Sequence, residues 1–440
     1  MISKYYSKNR KTTMKITTLL LLFAIQASTL FAQPSHDWNA INTGNSDSYL
    51  DVHIVDGKYE AWIVGTNGVV LKSTLAIDLW GRENITTLDS SYIFRSFLSL
   101  GGDKRIIAGG TNIPVNNVGG NIVNPNRVSA FLSNDAGGEW TAFNGTGVTS
   151  TNRWVSDLAR RGATQIWAPG YFYNPTQKVY LCRILYSPDL GTNWIQHPTI
   201  IDKKMNKMTF LTDEVGLICA DAGTVIRTVN GGGDWTQVST MTNQELTDIA
   251  KINETTAIAV GRNGTIVKTV NGGETWNSLL SNTSKHLFSV DFVNSNEGYI
   301  AGQTGTLLYT NNGGNTWESI TLPTTQDLNA ITVTKSENDS YAAIVVGNNG
   351  AAFYTQIVKV SVSETNNNDV EVYPNPVEKV LHLNISTNEN FTVNILSNLG
   401  TEVLNSKNKN AIDVSSLPAG TYYVQITTAK GIQRSRFVKM

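Results

Sequence analysis

Cysteine is nearly absent. The 440 residues contain only Cys182 and Cys219, too few for a stapled framework, and free to stand either as one disulfide in an exported chain or as two buried thiols. The five histidines show no His-x-x-x-His spacing and there is no Cys-x-x-Cys pair, so no metal site is expected, and no cofactor. A charge excess is lacking too: 34 Lys and Arg against 35 Asp and Glu leave a formal net charge of -1, which gives no general reason to expect nucleic acid or an anionic membrane as partner. No Gly-rich segment precedes a helix and no Gly-x-Ser-x-Gly elbow occurs, which removes phosphate cradles and the usual serine nucleophile. Nor is there a long apolar run. Ile16 to Ile25 is about ten residues, where a spanning helix needs about twenty.

That short run has a different reading. Lys4, Lys8, Arg10, Lys11 and Lys15 precede it, and Leu30-Phe31-Ala32 offers a small residue before a cut, so residues 1–32 are expected to be a secretory signal peptide, with Met14 as an alternative start. No Cys follows to carry a lipid, and no transmembrane segment is expected once the signal is removed.

What is abundant is turn and strand chemistry: 37 Gly, 10 Trp and 16 Tyr among many Asn, Thr and Ser. The dominant feature is a repeat. Thr228-Val-Asn-Gly-Gly-Gly-Asp-Trp235, Thr269-Val-Asn-Gly-Gly-Glu-Thr-Trp276 and Thr310-Asn-Asn-Gly-Gly-Asn-Thr-Trp317 place their tryptophans 41 residues apart. Ser133 to Trp140 and Ser187 to Trp194 extend the pattern, Ser/Thr-x-Asp/Asn-x-Gly-x-x-Trp, and worn copies remain at Ser73 to Trp80 and at Trp38. The Asp or Asn accepts backbone N–H bonds within a tight turn, the Gly takes a positive φ, and the hydroxyl ties the ends. An apolar strand, a short Gly-containing turn and another strand precede each box, as in Ala257 to Thr269. Four short strands per unit at this period predict an all-β fold, a seven-bladed β-propeller over residues 33–360. Its last unit, Leu328 to Gln356, has three strands, so the N-terminal strand at Asp37 to Asn42 is expected to complete it and close the ring.

The boxes resemble the BNR, or Asp-box, repeat, and Val290 to Trp317 is similar to a repeat of the photosystem II assembly and stability factor family. That resemblance implies fold more than function, because such turns are shared by sialidases, xyloglucanases, receptors and assembly factors.

Residues 361–369 read as a polar linker, and residues 370–440 as seven short strands of a small Ig-like β-sandwich. Tyr373-Pro374-Asn375-Pro376, the Leu381-x-Leu383-x-Ile385 strand, Asn398-Leu-Gly400, the Ile412 to Val424 segment containing Gly420, and the basic end at Lys439 resemble the type A C-terminal sorting domain of type IX secretion, known from Bacteroidetes. The resemblance implies that the type IX secretion machinery is a partner. It also implies passage through the periplasm and outer membrane to a secreted or cell-surface location.

Two constellations are candidates for recognition of an extracellular protein or glycan. The turns after the second strand of blades two and three carry insertions, Thr111 to Arg127 and Tyr171 to Lys178, on the face opposite the boxes; Asn116, Asn117, Tyr171 and Tyr173 are the candidate contacts there. Aligned first strands bring Asp51, Arg95, Asp157, Lys207 and Asp248 toward the channel mouth, where they either grip a ligand or pair with one another. A glycoside hydrolase of sialidase or xyloglucanase type is the rival reading. Phe94-Arg95-Ser96 stands where sialidases carry Arg-Ile-Pro and Arg262 sits in a turn after a second strand on the same face, but no third Arg and no Tyr/Glu pair aligns, so no catalytic residue is assigned.

Overall fold

A computed structural model describes residues 37–55, 60–74, 80–83, 92–111, 130–142, 153–174, 179–335, 341–357, 371–385, 390–397, 402–428 and 431–440. The chain divides into two compact units, Met1–Lys359 and Val360–Met440. Among the described residues both units are β throughout, apart from single 3-10 turns such as Arg262–Gly264.

The first described strand, β1 (Asn39–Ala40), is short. It is followed by β2 (Tyr49–Val55), β3 (Glu60–Gly65), β4 (Val70–Thr74) and β5 (Trp80–Arg82), which form sheet 1; β6 (Tyr92–Gly101), β7 (Lys104–Thr111), β8 (Ala130–Ser133) and β9 (Thr141–Ala142) form sheet 2. Sheet 3 has its first strand in two pieces, β10 (Arg153–Val155) and β11 (Ala159–Arg161), before β12 (Gln165–Asn174), β13 (Val179–Ser187) and β14 (Ile195–Gln196). Sheet 4 is β15 (Met205–Phe210), β16 (Gly216–Ala220), β17 (Thr224–Thr228) and β18 (Thr236–Ser239); sheet 5 is β19 (Leu246–Lys251), β20 (Ala257–Gly261), β21 (Ile266–Thr269) and β22 (Asn277–Leu279). Sheet 6 is β23 (Leu287–Phe292), β24 (Gly298–Gly302), β25 (Leu307–Thr310) and β26 (Glu318–Ile320). Sheet 7 is β27 (Leu328–Lys335), β28 (Tyr341–Gly347) and β29 (Ala352–Ile357), and its fourth strand is β1, paired to β29 through Asn39↔Tyr354 and Ala40↔Phe353. Every pairing is an antiparallel meander, so the turns after the second and fourth strands emerge at one end of the ring and those after the first and third at the other.

A separate apolar core lies between each pair of consecutive sheets. The one that closes the cycle joins Tyr49, Val52 and Ile63 of sheet 1 to Ala330, Ile344 and Val346 of sheet 7. Each sheet therefore buries both faces, which is why second strands such as Ala257–Gly261 are apolar at every position rather than alternating.

The boxes perform the work their residue types suggest. In sheet 5, Thr269 Oγ1 donates to Asn271 Oδ1 at 2.9 Å and accepts from Gly273 N at 2.9 Å, while Asn271 Oδ1 accepts from Thr275 N at 3.0 Å. The same three bonds recur at Ser133, Ser187, Thr228 and Thr310. Gly273 has φ 82°, and a Cβ there would lie 2.4 Å from Leu217 Cδ2 of the preceding sheet, so both conformation and contact demand glycine. Trp194, Trp276 and Trp317 donate Nε1–H to the carbonyls of Gly191, Gly273 and Gly314. In sheets 2 and 4 the preceding sheet presents a tryptophan instead. Trp140 and Trp235 then stand edge-on to Trp62 and Trp167, with ring centroids 5.9 and 5.7 Å apart, and their Nε1 groups have no hydrogen-bond acceptor.

The second unit contains β30 (Glu371–Tyr373), β31 (Val380–Asn384), β32 (Thr392–Ser397), β33 (Glu402–Lys407), β34 (Ala411–Asp413), β35 (Gly420–Thr428) and β36 (Gly431–Lys439). They make two sheets, in the orders β30-β31-β34 and β33-β32-β35-β36, which share one core of Val377, Leu381, Leu383, Val393, Ile395, Val424, Ile426 and Phe437.

Candidate functional site

The first strand of each sheet faces the ring axis along one edge, where its N–H groups lack a partner within the sheet. A bulge near the start of the strand resolves this. In β2, β6, β15, β19, β23 and β27 the register slips by one residue, between Tyr49 and Asp51, Phe94 and Ser96, Met205 and Lys207, Leu246 and Asp248, Leu287 and Ser289, and Leu328 and Ala330. Sheet 3 breaks its strand at the same place, between β10 and β11. A bulge re-aims the side chains beside it.

The re-aimed side chains link each sheet to the next. Asp51 Oδ2 accepts from Phe97 N at 2.8 Å, Ser96 Oγ from Leu158 N at 3.0 Å, Asp157 Oδ2 from Met208 N at 2.9 Å, Asp248 Oδ2 from Val290 N at 2.9 Å and Ser289 Oγ from Ile331 N at 3.2 Å. The bulged residues add a second tier: Asn206 Nδ2, Thr247 Oγ1 and Asn329 Nδ2 donate to the carbonyls of Leu246, Leu287 and Tyr49. The last of these fastens sheet 7 to sheet 1.

Lys207 occupies the same position but has no oxygen to offer. Ile249 N, the group it would have served, bonds to Asp248 Oδ1 at 2.7 Å instead. The Lys207 ammonium reaches Asp157 Oδ1 at 3.1 Å and Asp51 Oδ1 at 3.4 Å. Burial pushes the Asp51 carboxyl up to about 6 against the pull of Lys207, and burial likewise raises Asp248. Burial works against the Lys207 ammonium, but Asp157, Asp51 and Asp248 outweigh it and hold the group above the ordinary lysine range.

The structure thus brings Asp51, Asp157, Lys207 and Asp248 together. Each oxygen of the three carboxylates has a partner: Lys207 and Phe97 N for Asp51, Ser96, Lys207 and Met208 N for Asp157, and Ile249 N and Val290 N for Asp248. The bonds to Phe97 N, Met208 N and Val290 N each cross to the next sheet, so this cluster braces the ring.

Arg95 stands apart from this brace. It is the bulged residue of β6, exposed at the same end of the ring, and it interacts electrostatically with half-buried Tyr171 of β12. The protein around its guanidinium lowers its pKa, and Tyr171 opposes that shift. Beside these two residues the ring is uneven. In sheets 4 to 6 the second strand ends level with the bulged first strand, whereas β12 runs on through Tyr171–Asn174, paired with Val179 to Cys182 of β13 and, in part, with β10. Four extra residues at 3.3 Å each raise a wall of about 13 Å. In sheet 2, β6 and β7 also overrun by two pairs, Ile93↔Gly110 and Tyr92↔Thr111. Tyr173 lies in the wall opposite Tyr180. Asn116 and Asn117 fall outside the described residues.

Sequence reasoning missed a charged network on neighbouring turns. Glu245 accepts from Lys204 Nζ at 3.0 Å and from Arg262 Nε at 2.5 Å. Its signal was positional: Lys204 and Glu245 directly precede the first strands of sheets 4 and 5, and Arg262 opens a turn. Cys182, on β13, and Cys219, on β16, are unpaired, and burial raises both thiols.

In the second unit, Asn375 Oδ1 accepts from Val438 N at 2.9 Å and its Nδ2 donates to Arg436 O at 3.1 Å, so the segment Tyr373-Pro374-Asn375-Pro376 caps the edge of β36. Tyr373 is 52% exposed and stacks on His382 with ring centroids 5.5 Å apart. Lys439 is buried and Gly420 opens β35; Gly400 lies outside the described residues.

Comparison with known proteins agrees with this architecture. The family described as photosynthesis system II assembly factor YCF48 matches residues 230–415. No curated protein matches the chain. Among solved structures, YCF48 from Cyanidioschyzon merolae is 16% identical with a TM-score of 0.53, covering 72% of this chain and 98% of that one. A second, YCF48 bound to D1 peptide, is 18% identical with a TM-score of 0.54, covering 72% and 96%. The GH74 xyloglucanase from Xanthomonas campestris is 10% identical with a TM-score of 0.55, covering 79% and 59%. Likeness at these identities shows the fold alone: the first unit is a β-propeller.

Proposed function

We propose that this chain is a seven-bladed β-propeller that acts by binding, and that it recognises a segment of an extracellular partner protein at the end of the ring bearing Arg95 and Tyr171. The observation that carries this reading is the uneven rim. A ring of otherwise level turns rises into a two-sheet wall at β6, β7, β10, β12 and β13. Rigid scaffolds with extended loops on one side place binding there. A YCF48 structure with a bound D1 peptide offers a precedent for a propeller of this repeat type holding a peptide.

Asp51, Asp157 and Asp248 each give one oxygen to a backbone N–H of the next sheet, a structural task that favours binding over glycosidic hydrolysis, which needs an acid and a carboxylate committed to the sugar. The second unit, read as an Ig-like sorting domain of type IX secretion, would deliver the propeller through the outer membrane to a secreted or cell-surface location.

The test is capture from culture medium and outer-membrane fractions with full-length protein. The reading expects one defined protein partner, lost in Arg95→Ala and Tyr171→Ala and retained in Val270→Arg on the opposite face. A glycan partner, loss in the Val270 variant alone, or glycosidase turnover that vanishes with Asp157→Asn would each overturn it. Export is tested separately, by whether deletion of residues 361–440 leaves the propeller in the periplasm.

A further inference from the structure

The bulges near the start of the first strands set Leu50, Arg95, Asn206, Thr247, Phe288 and Asn329 in a collar around the ring axis, at the wall end. Three of them brace the ring. Asn206 Nδ2, Thr247 Oγ1 and Asn329 Nδ2 donate at 2.7, 2.7 and 2.8 Å to first-strand carbonyls of the next sheet. Leu50 and Phe288 hold the same position with no polar atom in the side chain, so neither can make that bond.

Their apolar surface does not serve the cores either. Each sheet packs its two faces into two apolar cores, yet Leu50 belongs to neither core of sheet 1, and Phe288 to neither core of sheet 6. Both side chains are half-buried. The opening they border is narrow, because Asp51 and Lys207 directly follow Leu50 and Asn206, and the single Lys207 side chain spans from sheet 4 to Asp51 of sheet 1 at 3.4 Å. Sheets 6, 7, 1 and 2 are consecutive in the ring, so Phe288, Asn329, Leu50 and Arg95 form one arc of the collar. It is apolar at Phe288 and Leu50 and ends on the exposed Arg95.

We propose that this arc anchors the partner: it takes one apolar side chain of an extended partner segment over Leu50 and Phe288, with a carboxylate beside it on Arg95. The inference rests on the wall end being the recognition face and adds the chemistry of what is recognised. A large apolar side chain at a position that elsewhere braces the ring, and outside both cores of its sheet, has its use in a contact beyond the chain. The charge is complementary. Arg95 is the charged member of the collar, and a guanidinium matches a carboxylate in two parallel hydrogen bonds. Between the two apolar residues, Asn329 is fixed by bonds to Tyr49 O and Asn348 Oδ1, so the arc is held in shape before anything binds.

The test is selection from a phage-displayed random peptide library on full-length protein, followed by affinity measurement of the enriched peptides. Enriched sequences are expected to pair Leu, Ile, Phe or Trp with a neighbouring Asp or Glu. Their affinity should fall roughly tenfold or more in Phe288→Thr and in Leu50→Asn, the loss of one buried apolar contact. Both variants carry residue types that the collar already uses at Thr247 and Asn206, so they should melt no lower than the parent. Arg95→Gln should remove the preference for the acidic neighbour. If either variant does melt early, alanine in place of the peptide's apolar residue reads the same contact from the other side. Peptides that bind Phe288→Thr and Leu50→Asn as tightly as the parent but are lost in Tyr171→Ala overturn this inference and leave the wall reading standing. The absence of any enriched sequence also overturns it, while the wall reading is judged by its own partner capture.

Discussion

Lys207 Nζ lies 3.4 Å from Asp51 Oδ1 although β15 and β2 belong to sheets 4 and 1, which are not neighbours in the ring. The contact reaches across the centre. It makes Lys207 the counter-ion of a group of three carboxylates, with Asp157 at 3.1 Å and Asp248 close enough to raise its pKa.

Removing that cation should be costly. Lys207→Met leaves Asp51, Asp157 and Asp248 buried without it, and a broken buried pair typically costs roughly 3 to 5 kcal/mol. Urea denaturation at pH 7 should show the loss, and Lys207→Met combined with Asp51→Asn should recover part of it. An additive double variant would show that the two residues do not interact.

The pH dependence follows from the raised Asp51 carboxyl. Its folded pKa of about 6 lies above the unfolded value near 3.8, so the fold binds this proton more tightly than the unfolded chain does. The stability it contributes is fully present below pH ~4 and is lost as pH rises through ~6, with a ceiling of about 3 kcal/mol. Asp51→Asn should flatten the stability profile in that window. An identical profile in the variant would contradict the assignment.

The box glycines separate conformation from packing. Gly272 and Gly273 both have positive φ, 68° and 82°, but a Cβ at Gly272 meets nothing nearer than 3.7 Å, whereas at Gly273 it meets Leu217 Cδ2 at 2.4 Å. Gly272→Ala should cost about 1 kcal/mol from backbone strain alone. Gly273→Ala should cost about 3 kcal/mol, because overpacking against the neighbouring sheet is added. Equal losses in thermal or urea melts would mean that the contact carries nothing.

Among the described residues, Arg105 and Glu60 make the deepest ion pair between neighbouring sheets, at 2.9 Å, with the Arg105 side chain fully buried. Burial works upward on Glu60, but the hydrogen bonds from Arg105 and Trp62 outweigh it and hold its pKa below the usual carboxylate range. The stability it contributes is present above pH ~4 and disappears as pH falls further. Glu60→Gln should therefore destabilise the protein by roughly 3 kcal/mol at pH 7, with less effect at pH ~3, measured by denaturant midpoint.

Much of this architecture was legible in the sequence because repetition makes local rules visible. The Ser/Thr-x-Asp/Asn-x-Gly-x-x-Trp boxes marked the turns after third strands, and the missing strand of the Leu328 to Gln356 unit pointed to the stretch Asp37 to Asn42, of which Asn39–Ala40 pairs with β29. Alignment of first strands also brought Asp51, Asp157, Lys207 and Asp248 to one level. Their role was not legible, since it depends on the bulge, and a one-residue register slip leaves no trace in composition. Nor could repetition foretell that Lys207 would bridge sheets 1 and 3, or that Tyr171–Asn174 would continue as paired strand where an insertion was expected to loop out.

The central functional claim is that the wall end of the ring is the recognition face. It is tested most directly by photocrosslinking in secreting cells, with a photoreactive residue in place of Tyr171 in one experiment and of Val270, 62% exposed on a box turn at the opposite end, in another. One discrete adduct from position 171 and none from position 270 is the expected result. An adduct from position 270 with none from position 171 would contradict it.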